Sequence, residues 1–171
     1  MKTLLKRSTP LLFLFTLFLS HCNKEEDTLS TFDMVCGEWT VTDIQYDLRI
    51  NDLSLPEYLM GAYGMTEEEA QIAFTQNENA YKAAWTGTML FKQDGKYEFN
   101  IGGENHSNYW FLSKDEQTIH VYFTGYYMDF DIMSIDEKIM KLSYDPSYRV
   151  DIDEDGTREI IKYLNEFILE K

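Results

Sequence analysis

The chain has 171 residues, with 15 Lys and Arg against 30 Asp and Glu and a formal net charge of −15. Its 44% hydrophobic and 15% aromatic content excludes a disordered chain. The shortage of cations argues against nucleic acid as a partner, because neutralising phosphate needs Lys and Arg, and two cysteines exclude a disulfide-rich scaffold.

In chain order, Lys2, Lys6 and Arg7 precede the apolar run Leu11–Leu19. The run is too short for a membrane span, which needs ~20 apolar residues, and residues 1–21 read as a secretory signal. A general signal-peptidase site wants small residues at −1 and −3, which His21 and Leu19 are not. Leu19-Ser20-His21-Cys22 instead resembles the lipobox of bacterial lipoproteins, with His21 where a small residue is usual. The resemblance implies a diacylglycerol thioether on Cys22, the mature N-terminus, and membrane attachment through its acyl chains. Asn23-Lys24-Glu25-Glu26-Asp27 is similar to the export signal of some Gram-negative lipoproteins. That implies an outer-membrane, cell-surface location. Residues 22–33 are then an acidic tether and 34–171 the domain. Removal of three basic residues with the signal leaves 12 against 30 acidic ones, a net charge of −18.

Period-2 alternation of aromatic and β-branched residues predicts strands through most of the domain. Trp39, Val41, Ile44, Tyr46 and Leu48 form a first strand whose apolar phase flips near Asp43, which predicts a bulge. Residues 51–85 break the rhythm. There, Thr66-Glu67-Glu68-Glu69 reads as an N-cap with an acidic first turn, opening a helix to about Ala84. Thr88–Lys92 and Lys96–Asn100 flank an Asp94-Gly95 hairpin turn. Strands follow at Asn108–Leu112, Thr118–Thr124, Tyr126–Ile132 and Met140–Tyr144. The C-terminal run from Ile160 to Leu169 suits either helix or strand.

This pattern predicts a mainly β fold, a small antiparallel barrel or sandwich. Gly37-Glu38-Trp39, Gly87–Phe91 with Asp94-Gly95-Lys96-Tyr97, Tyr109–Leu112, Ile119-His120-Val121 and the ending Phe167–Lys171 together resemble the lipocalin-like domains of bacterial lipoproteins. The resemblance implies a barrel of about eight strands with a helical insert after the first, a C-terminal strand, and Trp39 near the barrel base.

No nucleophile–base set, zinc motif or phosphate-binding loop is present, and the expectation is a non-enzyme with no assigned cofactor. An eight-stranded barrel can hold one small ligand. Tyr97, Phe99, Phe111, Val121, Phe123, Met128, Phe130 and Leu142 are the candidates to line such a cavity, or else to fill a solid core. Asp151, Asp153, Asp155, Thr157 and Glu159, with Gly156, copy the first half of a calcium loop. Lys162 stands where the bidentate Glu belongs, so the alternatives are a weak calcium site and an acidic hairpin turn. Two functions stay open. One is a lipid-anchored domain binding a small apolar ligand. The other is a structural lipoprotein meeting an envelope protein partner through its surface and insert, with Leu53–Tyr63 as contacts.

Overall fold

The structure is a computed structural model and describes residues 29–171. The signal segment, Cys22 and most of the tether lie outside the described residues. The elements are α1 (Thr31–Val35), β1 (Gly37–Ile50), β2 (Leu53–Ser54), α2 (Leu55–Tyr63), α3 (Glu67–Trp85), β3 (Gly87–Phe91), β4 (Lys96–Ile101), β5 (Glu104–Leu112), β6 (Thr118–Phe123), β7 (Tyr126–Ile135), β8 (Ile139–Tyr144), β9 (Ser147–Val150) and β10 (Glu159–Glu170). Ordered helix thus begins at Thr31, within the segment read as tether.

Strands β1, β3 to β8 and β10 pair in sequence, all antiparallel, and the β1–β10 pairing closes them into an eight-stranded barrel. The C-terminal run is a strand, because every second residue from Glu159 to Leu169 points inward and β1 supplies a full-length partner. The helical insert follows the first strand as expected, though it holds two helices separated by Gly64, which sits in the left-handed region with φ 65°.

β1 changes role along its length. Gly37–Thr40 pair with β3 on one side. A register shift between Val41 and Asp43 marks the bulge expected at Asp43. Beyond it β1 has left β3 and continues with β10 as far as the pair Ile50–Ile161, forming a ribbon that rises past the barrel wall. Tyr46, Leu48 and Ile50 on this ribbon are covered by Leu55 and Tyr58 of α2, with Phe74 and Tyr81 of α3 alongside. The helices are secured at their starts by two capping boxes, Ser54 with Glu57 and Thr66 with Glu69.

The lower barrel is solid. Trp39, Met89, Phe91, Phe99, Trp110, Ile119, Phe130, Met140 and Phe167 fill it with almost no exposure, each large side chain contributing about 1.5–3 kcal/mol by burial. Its base is sealed by α1. Trp39 Nε1 donates to Val35 O at 2.7 Å, Phe32 stacks on Trp110 at 5.1 Å, and Lys171 donates to Met34 O while its ammonium lies 4.5 Å from the Trp39 ring centre. Trp39 is therefore at the base, as the resemblance implied.

Candidate ligand site at the barrel mouth

The opposite end of the barrel is built by strand parity. Inward positions near the upper ends of the strands are His106 on β5, Phe123 on β6, Tyr126 and Met128 on β7, Tyr144 on β8 and Tyr163 on β10. The last turn of α3 brings Tyr81, Ala84 and Trp85 across the opening, and Tyr148 of β9 adds to the rim. Together they line an open cavity of about 570 Å³. That volume falls within the ~300–1,000 Å³ of small-molecule sites.

Gly87 lets β3 start hard against β4, and Gly102 lets α3 sit this close. Gly87 follows the helix with φ 147°, and a Cβ there would lie 1.9 Å from Asn100 O. Gly102, with φ 58°, leaves room for Ala84 O, which a Cβ would approach to 2.8 Å, and its N–H donates to Thr86 O at 3.0 Å. Trp85 then wedges edge-on against Phe167 at 5.1 Å and Phe130 at 6.2 Å, forming the cavity floor. Tyr81 stacks on Tyr163 at 5.9 Å, and His106 rests on Phe123 at 4.6 Å.

The polarity of the site is specific. Burial, and secondarily neighbouring phenols, push Tyr81, Tyr144 and Tyr163 above the usual tyrosine range, so they present neutral O–H groups. The Tyr81 hydroxyl is fully buried and has no hydrogen-bond partner among the described residues. Glu104 is the carboxylate of the lining, 3.7 Å from His106 Nε2. No Lys or Arg is among the lining residues.

The residues named from sequence divide into three groups. Phe123 and Met128 line the cavity. Tyr97, Phe99, Val121, Phe130 and Leu142 point inward but are packed in the solid core below it, with the Tyr97 hydroxyl donating to Tyr122 O at 2.9 Å. Phe111 is a correction. It is 48% exposed on the outer face, where its ring meets His120 and Tyr127. In the run Asn108–Leu112, both Tyr109–Phe111 and Trp110–Leu112 offer an apolar alternation, and pairing of Trp110 with inward Val121 decides for Trp110. Polarity alone could not choose.

The residues missed were Tyr81, Trp85, Glu104, His106, Tyr126, Tyr144, Tyr148 and Tyr163. The helix and the short strand β9 carry no period that points at a barrel opening. His106 could have been found by parity with Trp110, four residues later on one strand face.

The acidic loop between β9 and β10 keeps part of its expected set together. Asp151, Asp153 and Glu159 place one carboxylate oxygen each within 4.8 Å of the others. Glu159 is buried and accepts from Ile152 N at 2.9 Å, while Asp151 accepts from Gly156 N at 2.9 Å. Asp155 is turned to its own loop, accepting from Thr157 N at 2.6 Å, and neither Asp155 nor Thr157 joins the cluster. Cys36 packs against the core, and burial followed by the Asp33 charge pushes its thiol up. Among the described residues no helix is long and apolar enough to cross a membrane.

No protein-family model matches the chain, and no curated protein matches it. Among solved structures, a crystal structure of a DUF4847 family protein from Bacteroides vulgatus is similar at 14% identity. The match covers 77% of this chain and 93% of that one, with a TM-score of 0.37.

Proposed function

We propose that this chain is a non-enzymatic, lipid-anchored protein of the bacterial outer membrane whose barrel mouth holds a small, largely apolar ligand. The observation that carries the reading is the contrast within one barrel. The base is packed solid, whereas the mouth leaves about 570 Å³ lined by Trp85, Phe123, Met128 and five tyrosines. Apolar burial holds the ligand, and the Glu104–His106 pair at the rim fixes its orientation.

The anchored location rests on the lipobox-like Leu19–Cys22 and the acidic segment after it. The described chain enters the fold at the base through α1, which packs on Trp39 and Trp110. The strongly acidic body favours solvent over an anionic membrane surface. A second reading, an interaction lipoprotein, is favoured by the outer-face stripe of Tyr109, Phe111 and Tyr127, each about half exposed.

Native mass spectrometry of the protein purified from envelopes distinguishes the two. The ligand reading expects an adduct of small-molecule mass that organic extraction releases. A clean apo mass, with no thermal shift across a panel of apolar ligands, overturns it. Co-purification of an envelope protein that Phe111→Ser abolishes supports the second reading.

A further inference from the structure

We propose that the mouth selects an organic cation, a quaternary or protonated amine carried on an apolar body, over neutral and anionic molecules of the same size. The inference rests on the reading of the mouth as a ligand site and names the class it takes.

Three observations converge. First, the lining is rich in aromatic rings: Trp85, Phe123 and the tyrosines at 81, 126, 144, 148 and 163. The face of each ring carries negative quadrupole potential, which attracts an ammonium within ~6 Å of the centroid. The molecule already uses this contact once, between Lys171 and Trp39 at its base. Second, the charge on the lining is one-sided. Glu104 stands at the rim with His106 3.7 Å from it, and no Lys or Arg lines the cavity, so an anionic head group would meet a carboxylate and no permanent cation. Third, the surrounding body has a net charge of −15, which raises the local concentration of cations and depletes anions near its surface. A carboxylate ligand such as a fatty acid is therefore selected against, although the apolar walls would accept its tail.

Three probes of one shape test the selection: benzyltrimethylammonium, benzyl alcohol and benzoate. They are titrated into the unacylated Cys22→Ala protein at low ionic strength and followed by tryptophan fluorescence. The expected result is that the cation binds about tenfold more tightly than benzyl alcohol and that benzoate binds more weakly than either. Tyr148→Leu, at a half-exposed rim position, should lower the preference for the cation over benzyl alcohol severalfold. Equal binding of cation and alcohol, or tighter binding of benzoate, overturns the selection and leaves the ligand site standing. Failure of all three probes to bind overturns the site itself.

Discussion

Trp39 shows what a single residue contributes at the base. Its ring is fully buried, its N–H is satisfied by Val35 O, and its face carries the Lys171 ammonium. Trp39→Phe removes the donor, strands a buried carbonyl and leaves a cavity, which should cost about 2–4 kcal/mol. A shift of the urea midpoint at unchanged slope is the expected reading. The acidic cluster is a residue-scale case of opposite sign. Three carboxylates within 4.8 Å repel one another, so Asp153→Asn should raise the melting temperature slightly in the absence of divalent cations. Occupation by calcium reverses the ranking, making the unsubstituted chain the more stable at millimolar calcium. An unchanged ranking leaves the loop an acidic turn. The Asp-x-Asp-x-Asp-Gly spacing was legible in the sequence. That Asp155 would serve its own turn was not, because an aspartate in such a loop can bond the backbone two residues on as readily as a cation.

At the scale of elements, α3 is defined by its two ends. Thr66 and Glu69 close the N-terminal box, and Thr66→Ala should cost about 1 kcal/mol. Hydrogen bonds to Thr66 hold the Glu69 carboxyl below its ordinary value of 4.5, and bonds to Ser54 do the same for Glu57. These groups bind fewer protons folded than unfolded. Their contribution is complete above pH 4.5 and is lost as pH falls through the lower folded values. Melting temperature against pH should therefore decline below that point, and Glu69→Ala should flatten the decline. At the other end Gly102 lets the last turn rest on the β4–β5 hairpin. Gly102→Ala forces a left-handed Cβ into Ala84 O, should destabilise by about 1–3 kcal/mol, and should weaken ligand binding by displacing Trp85. The capping box and the bulge at Asp43 were both readable locally. The docking of α3 over the opening was not, since it depends on a hairpin far along the chain.

For the whole molecule, closure is set by β1 and β10, the two longest strands, which join as barrel walls below and as a ribbon above. The inward parity of most strands was legible in alternation. It failed at Phe111, where both phases are aromatic and only the cross-strand partner decides. The division into a solid base and an open mouth was not legible, because composition cannot tell a ring that fills a core from one that lines a cavity. The eight candidates chosen by polarity accordingly fell mostly in the solid half. Amide chemical-shift mapping of the 15N-labelled protein with benzyl alcohol tests the central claim of a mouth site most directly. Expected are shifts at Trp85, Gly102, His106, Phe123 and Tyr148, with Trp39 and Met140 at the base unmoved. Shifts confined to the outer stripe of Tyr109, Phe111 and Tyr127, or no shifts at all, would contradict it.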